Sequence, residues 1–311
     1  MNIIFRTVYG SRLFGTHNEN SDTDYKQIHK ENLRNIVLKK DKDNVTKNTN
    51  AKGKNTKDDV DDDSKELRQY IRDCLTGQPY AIEMLFARPE CIVSSSDAWE
   101  SIQENRSKLV TNNINGFVGF AKRQTRKYSD KGIKLDELIQ LRDYMTGRDL
   151  RSTLKEVIQD FDFSDKKFIK VYEKYNSSSK KMDDMMEVAD SDHPLNRKAH
   201  LVYSSISEKI DNYGVRVQLS RVSNGCDYKA FYHAIRVCWE LEELLTNGEI
   251  KFPSTKLPFL MQVRNKEFGR EYLEQYLSDE IARVTVIENT LPVADESFWE
   301  EWIVEEYLGK V

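Results

Sequence analysis

A Gly-Ser pair and two closely spaced aspartates near the start of the chain constrain its fold more than any other feature. Residues 2–9 are rich in β-branched and aromatic side chains and predict a short strand. Gly10 and Ser11 follow this strand directly, which predicts a turn. Asp22 and Asp24 stand two apart, and alternate residues of a strand point to the same face. The sequence therefore predicts two carboxylates on one face beside a tight turn.

This arrangement suits chemistry on phosphate groups. Two neighbouring carboxylates repel each other and favour a divalent cation between them, and hard oxygen ligands suit Mg²⁺ or Mn²⁺. Backbone N–H groups and a hydroxyl at such a turn can hold phosphate oxygens. Paired cations bridge a triphosphate, activate an acceptor hydroxyl and stabilise a pyrophosphate leaving group. A turn followed by two strand aspartates also arises by chance, so other segments must support this interpretation.

Bulk composition excludes several classes of protein. The 311 residues carry a net charge of −4, which argues against a surface coated in basic charge for nucleic acid but leaves room for a local basic groove. No stretch approaches the roughly 18 apolar residues of a membrane span. A reduced, cytoplasmic protein is expected, because the four cysteines lack the spacing of a zinc site or a disulfide framework. These cysteines are Cys74, Cys91, Cys226 and Cys238.

The rest of the N-terminal third reads as short strands and helices. Residues 23–29 predict a second strand and residues 34–38 a third extended piece. Residues 40–63 are almost wholly polar and predict a mobile loop or an extended hairpin. A helix follows, and Asp63 and Glu66 have the spacing of a capping box at its start.

Beyond residue 95 the apolar pattern is mostly helical. FIKVYEKY, within the ambiguous stretch 160–195, predicts a strand, and NSSSKKMDD predicts a loop. The whole chain is expected to be α+β, with a small α/β unit over residues 1–95 and a larger, mainly helical part over residues 96–311. The predicted helices cover residues 97–110, 113–129, 134–146, 197–213, 228–247, 266–286 and 295–308.

The spacing Gly-Ser, about ten residues, Asp-x-Asp resembles the signature of the polymerase-β nucleotidyltransferase superfamily. Three later segments, residues 61–89, 117–135 and 227–252, resemble a narrower group, the RlaP-like predicted nucleotidyltransferases of bacteria and many phages. The resemblance follows the chain in order and is weak over residues 145–195. It implies a phage-encoded protein as one possibility.

The resemblance also implies a fold. Residues 1–95 would form a polymerase-β-type nucleotidyltransferase domain, a small mixed sheet with helices. Residues 96–311 would form a mainly helical domain that closes the nucleotide cleft.

The resemblance implies a catalytic and metal-binding set of three carboxylates. Asp22 and Asp24 would bind the metal, and a third carboxylate on a neighbouring strand would complete the set and accept a proton. Alignment of residues 61–89 with the matching family segment places this third carboxylate at Asp61. The run Asp58–Asp63 offers several neighbours, and a slip of one residue turns the side chain to the other face.

The predicted nucleotide ligands come from the Gly-Ser turn and from two helices. One helix carries a basic cluster, for which the alternative is a solvated face. On the other helix three polar residues share one face at spacings of three and four. The alternative to a nucleotide contact for its histidine is a buried structural position with its hydrogen bonds satisfied. The predicted nucleotide-binding residues are Gly10, Ser11, Arg12, Lys122, Lys131, Lys229, His233 and Arg236.

Glu83 lies within an apolar run, residues 81–87. An ionisable group there is costly unless it is paired. Two roles are open: a structural pair with an arginine, or orientation of an active-site base or ribose.

The predicted reaction moves a nucleoside monophosphate from an NTP to an acceptor and releases pyrophosphate. An RNA end is the favoured acceptor, because the family resemblance suggests RNA repair, and protein hydroxyls and small molecules stay open as acceptors. Three alternatives stay open: an inactive nucleotide- or RNA-binding module, an enzyme that NMPylates proteins, and a helical interaction protein such as a phage host-takeover factor. The sequence indicates neither the base nor the oligomeric state.

Overall fold

The computed structural model describes residues 2–19, 21–49, 59–176, 180–213 and 226–309, with the backbone alone for residues 125–131. The chain forms two compact units. Unit 1 combines Met1–Arg123 with Phe231–Val311, and unit 2 is Gln124–Ala230. The functional division predicted near residue 95 stays a prediction.

The central element of unit 1 is a five-stranded mixed sheet with the order β3-β4-β2-β1-β5. β2 and β4 run parallel, whereas the other neighbouring pairs are antiparallel. The strands predicted at residues 2–9 and 23–29 are confirmed, and β3 pairs with β4 as the hairpin alternative for residues 40–63 requires. The strands are β1 Asn2–Val8, β2 Thr23–Lys30, β3 Asn44–Asn48, β4 Val60–Glu66 and β5 Ile92–Ser95.

Short helices follow or precede these strands in the same part of the chain. Buried residues at helical spacing explain α3, in which Leu67, Tyr70, Ile71 and Cys74 face the core. Proline at the first position opens α4. These helices are α1 Gly10–Leu13, α2 Leu33–Val37, α3 Leu67–Leu75, α4 Pro79–Leu85 and α5 Asp97–Glu104.

Two predictions in this region are wrong. The segment 34–38 is not extended but lies in α2 and its C-cap, because the Asn32 side chain accepts a hydrogen bond from the N–H of Arg34 and begins a helix. The N-cap of α3 is Glu66 and not Asp63. Asp63 lies within β4, since the pairing of β4 with β2 continues as far as Glu66.

Unit 2 contains a three-stranded antiparallel sheet, β6-β7-β8, and helices packed on it. The predicted strand FIKVYEKY is confirmed as β6. The predicted loop over residues 176–184 is wrong at Asn176 and at residues 181–184, because these positions pair between β6 and β7, and residues 177–179 lie outside the described residues. The elements are α6 Asn115–Met145, which begins in unit 1, α7 Leu154–Val157, β6 Ile169–Asn176, β7 Lys181–Val188, β8 Ser191–Pro194 and α8 Ala199–Asp211.

α6 is one helix of 31 residues where two were predicted. Gly132 lies inside it, and one glycine lowers helix stability by only about 1 kcal/mol, which does not end a helix packed on both sides of that position.

Four further helices belong mainly to unit 1. The bounds of α9 match the prediction for residues 228–247, α11 begins four residues later than the predicted 266, and α10 was not predicted. The helices are α9 Tyr228–Asn247, α10 Leu257–Arg264, α11 Arg270–Thr285 and α12 Glu296–Leu308. Within the described parts of the chain, no helix combines the length and apolarity that crossing a membrane requires. The cytoplasmic location stays a prediction.

Candidate metal and nucleotide site

Three aspartates of unit 1 come together at one end of the parallel strand pair. β2 and β4 are in register so that Asp24 lies opposite Asp61, and Asp22 directly precedes β2. One carboxylate oxygen from each of the three lies within 4.8 Å of the others. All three residues are half-buried. Such a cluster of hard oxygen atoms fits Mg²⁺ or Mn²⁺. Asp58, an alternative third acid, lies outside the described residues.

The next two acids of β4 are engaged elsewhere. Asp62 lies on the opposite face of the strand, where Nη2 of Arg6 donates to its Oδ2 at 3.0 Å. Asp63 is ion-paired with Lys26. Burial acts to raise the pKa of Asp63, but Lys26 together with hydrogen bonds from Thr46 and Asn44 more than offsets it, and the pKa of that carboxyl is lowered. The geometry thus groups Asp61, and not Asp62 or Asp63, with Asp22 and Asp24.

The glycine-serine turn, defined here as residues 9–16, passes directly over this cluster. The N–H of Tyr9 donates to the carbonyl of Asp24 at 2.8 Å. Gly10 has a φ of +61°, and a Cβ there would overlap Oδ2 of Asp24 and lie 3.0 Å from its Cγ. The close approach of backbone and carboxylate therefore requires glycine.

Ser11 and Arg12 continue the turn. The Ser11 hydroxyl is buried and has no hydrogen-bond partner among the described residues, so it is available to a ligand. Nη2 of Arg12 donates to the carbonyl of Ser21 at 3.3 Å, and the carbonyl of Arg12 accepts from Arg88 at 3.0 Å. Arg12 therefore also connects the turn to the segment that precedes β2.

The other predicted nucleotide ligands lie in different surroundings. Lys122 and Lys229 are exposed, and His233 is half-buried with its ring 4.9 Å from that of Tyr232. The side chain of Lys131 lies outside the described residues. Lys229 belongs to unit 2 and His233 to unit 1. Nucleotide contacts by these residues stay predictions.

Arg236 is buried in an ion-pair network under the turn. Its Nη1 lies 2.8 Å from Oε1 of Glu83 and also donates to Glu240. Its guanidinium carbon lies 3.7 Å from the ring centre of Phe14. Glu83 in turn accepts a hydrogen bond from the hydroxyl of Tyr9. The structural pair of Glu83 with an arginine is confirmed, whereas direct contact of Arg236 with a nucleotide stays a prediction.

Burial shifts the protonation equilibria of this network. Burial, then the neighbouring Glu83 carboxylate, raise the pKa of Tyr9 well above its usual value, so its hydroxyl stays a donor. Burial also raises the pKa of Glu240 well above the ordinary range, although Arg236 opposes the shift. Burial acts to lower the pKa of Arg236, but Glu240 and Glu83 more than offset it, and the guanidinium stays charged.

The far end of the turn contacts residues that the sequence analysis missed. The hydroxyls of Thr16 and Tyr232 are hydrogen-bonded at 3.1 Å, and Nη1 of Arg264 donates to the carbonyl of Thr16. A Cβ at Gly15, where φ is +76°, would lie 2.8 Å from Pro253. Nothing local in the sequence indicates these contacts, because Thr16 and Arg264 are 248 residues apart.

Comparison with known proteins adds to this geometry. A family model described as the RNA repair pathway DNA polymerase beta family, RlaP, matches residues 1–267. An uncharacterised 38.9 kDa protein from the nrdC-mobD intergenic region of Enterobacteria phage T4 is 28% identical, with 99% of this chain and 98% of that protein aligned. No solved structure matches the chain significantly.

Proposed function

Since the chain belongs to the RNA repair pathway DNA polymerase beta family, we propose that it transfers a nucleoside monophosphate from an NTP to an acceptor and releases pyrophosphate. One observation carries this proposal. Oxygen atoms of Asp22, Asp24 and Asp61 lie within 4.8 Å of one another beneath a turn whose glycine leaves no room for a side chain. The cluster provides a metal site, and the turn provides a place for a polyphosphate.

Asp22, Asp24 and Asp61 would bind two divalent cations, Mg²⁺ or Mn²⁺. When bound, these cations supply positive charge beside the polyphosphate and the acceptor hydroxyl. An oxygen of the acceptor forms a bond to the α-phosphorus, and the bond from that phosphorus to the bridging oxygen of pyrophosphate breaks. Asp61 accepts the proton of the acceptor hydroxyl. Little covalent catalysis is needed, because phosphoryl transfer depends on positioning and charge neutralisation.

The glycine-serine turn would hold the β- and γ-phosphates. Backbone N–H groups at Gly10 and Ser11, the Ser11 hydroxyl and Arg12 are the proposed ligands, and the buried, unbonded hydroxyl of Ser11 supports this assignment. Further proposed contacts come from Lys122, Lys131, Lys229 and His233. Direct contact by Arg236 would require its guanidinium to leave Glu83 and Glu240.

The proposed acceptor is the end of an RNA strand. Support comes from the description of the family, which names an RNA repair pathway. The chain's net charge of −4 favours a local RNA-binding surface over binding by the protein surface as a whole.

Labelling with each α-³²P NTP tests the proposal. The full-length protein is incubated with Mg²⁺ or Mn²⁺, total RNA and host proteins, and the labelled fraction is identified. We expect labelled RNA, and we expect Asp24→Asn to lower the rate at least about a hundredfold because it weakens a metal ligand. Asp62→Asn is the matched control, since Asp62 lies on the opposite face of β4 with Arg6.

Each outcome has a clear meaning. Equal labelling by wild type and Asp24→Asn would overturn the assignment of the site. Labelled protein in place of RNA would identify an NMPylating enzyme. A thermal shift with NTP but without pyrophosphate release would identify a binding module.

A further inference from the structure

We propose that the buried ion-pair network of Glu83, Arg236 and Glu240 positions the glycine-serine turn over the metal cluster. This inference rests on the proposed function, because it assigns a positioning role at the same site. The network links α4 and α9 to the turn, although Glu83 and Arg236 are 153 residues apart.

The network contacts the turn near both of its ends. At the first end, Glu83 accepts from the hydroxyl of Tyr9, and the N–H of Tyr9 donates to the carbonyl of Asp24 at 2.8 Å. Toward the other end, the guanidinium of Arg236 lies 3.7 Å from the ring centre of Phe14. Movement of Arg236 would therefore change the backbone on both sides of Gly10 and Ser11.

Charge and burial indicate a role beyond general stability. Glu83, Arg236 and Glu240 are 1%, 5% and 4% exposed, and burying such ions costs more than burying apolar side chains of similar size. An ion pair differs from an apolar contact in its fixed direction and distance. Arg236 serves two carboxylates and one aromatic ring at once, so its guanidinium has little freedom to rotate.

The site below the turn is sensitive to small displacements. A Cβ at Gly10 would overlap the Asp24 carboxylate, so the turn backbone and this metal ligand are already as close as packing allows. A displacement of reacting groups by about 1 Å costs roughly a hundredfold in rate. A network that fixes the turn therefore acts on kcat more than on metal binding.

The test uses the full-length chain with the double variant Glu83→Gln, Arg236→Met, which removes both members of this ion pair. Glu240 stays buried in the variant, and because burial raises its pKa and Arg236 no longer opposes that shift, we expect it to be neutral. Arg283→Met is the matched control. Arg283 also bridges two glutamates, Glu242 of α9 and Glu280 of α11, but its side chain is 39% exposed. Three quantities are measured: amide hydrogen exchange over residues 10–16, Mn²⁺ affinity, and kcat and KM for NTP.

We expect the double variant to exchange the amides of residues 10–16 at least about tenfold faster and to lower kcat by roughly ten- to a hundredfold. Its Mn²⁺ affinity should change less than about threefold, because Asp22, Asp24 and Asp61 are intact and distant substitutions have nearly independent effects. Arg283→Met should change none of these quantities. Tyr9→Phe, which removes only the hydroxyl that donates to Glu83, should show the same changes as the double variant in smaller size.

Unchanged exchange over residues 10–16 in a folded double variant and in Tyr9→Phe would overturn the proposal. The same holds if every amide of unit 1 accelerated equally, because the network would then be a general stabiliser. Hydrogen exchange needs no turnover. A wild-type protein without NTP turnover would therefore contradict the proposed function while the exchange measurement still decides on the positioning role.

Discussion

Position 10 shows how closely a single residue is constrained by the site. Gly10 combines a φ of +61°, which favours glycine, with a backbone that passes directly beside the Asp24 carboxylate. Either constraint alone is common in turns. The positive φ should affect the stability of a substituted protein, whereas the close approach to Asp24 should affect its activity.

Gly10→Ala should lower NTP turnover by roughly a hundredfold, because the added methyl group displaces either the turn or the Asp24 carboxylate. Its cost in the free energy of unfolding should be at least about 1–2 kcal/mol from the positive φ. Gly248→Ala is the control, since Gly248 has a φ of +71° and nothing within 4 Å of its Cβ position. Urea unfolding and turnover are measured for both. Full activity of Gly10→Ala would show that the contact with Asp24 is irrelevant.

The acidic residues are the part of the site that the sequence predicts best. Spacing and family resemblance predict Asp22, Asp24 and Asp61, and the structure groups these three. Asp58, Asp59, Asp62 and Asp63 remained alternatives, because a slip of one residue turns a strand side chain to the other face and one sequence does not settle the strand pairing. The buried partners of Glu83 were open for a different reason: ion pairs between residues 153 apart leave no periodic pattern in the chain.

At the scale of elements, the junction between β4 and α3 contains a second buried polar group. The ring of His29 is fully buried, and its Nδ1 lies 2.8 Å from the hydroxyl of Ser64. Glu66, the residue opposite His29 in β4, caps α3 and accepts a hydrogen bond from Tyr307 of α12. The capping-box spacing of Asp63 and Glu66 misled the sequence analysis, since strand pairing outweighs a local capping pattern.

His29 should make stability depend on pH. Its pKa is lowered from 6.5, chiefly by burial, so the unfolded chain takes up a proton before the folded one does. The stabilisation by the neutral ring is fully present above pH 6.5 and is lost as the pH falls through the lowered pKa. Between pH 7.5 and 5.5, wild type should lose more free energy of unfolding than His29→Gln, as measured by urea unfolding.

His193 provides an internal reference for this measurement. Burial lowers its pKa as well, and it is present in both proteins, so the difference between them isolates His29. Parallel pH dependences for wild type and His29→Gln would contradict the assignment.

At the scale of the whole molecule, unit 1 is assembled from both ends of the described chain. Trp99 stacks on Phe5 with ring centres 3.7 Å apart, Arg236 pairs with Glu83, and Tyr307 donates to Glu66. Each contact joins a residue before position 95 to one after it. Periodicity predicts most of these helices but cannot predict that distant helices complete the packing of the first 95 residues.

A fragment of residues 1–95 should therefore fail to unfold cooperatively. Loss of a buried aromatic partner or of one member of a buried ion pair costs about 3–5 kcal/mol, against a total stability of about 5–15 kcal/mol for a folded domain. Thermal unfolding followed by circular dichroism, with the full-length chain as control, checks this. A cooperative transition together with Mn²⁺ binding by the fragment would instead support an independent domain ending near residue 95.

The contact between Thr16 and Arg264 has a consequence for the synthesis of the protein on the ribosome. At about 5–20 residues per second, the 248 residues between these two take roughly 12–50 s to translate. During this time the nascent chain already contains its three acids but lacks Arg264, which donates a hydrogen bond to the glycine-serine turn. We therefore expect the site to be completed only after Arg264 has been synthesised, well after the strands that carry the acids.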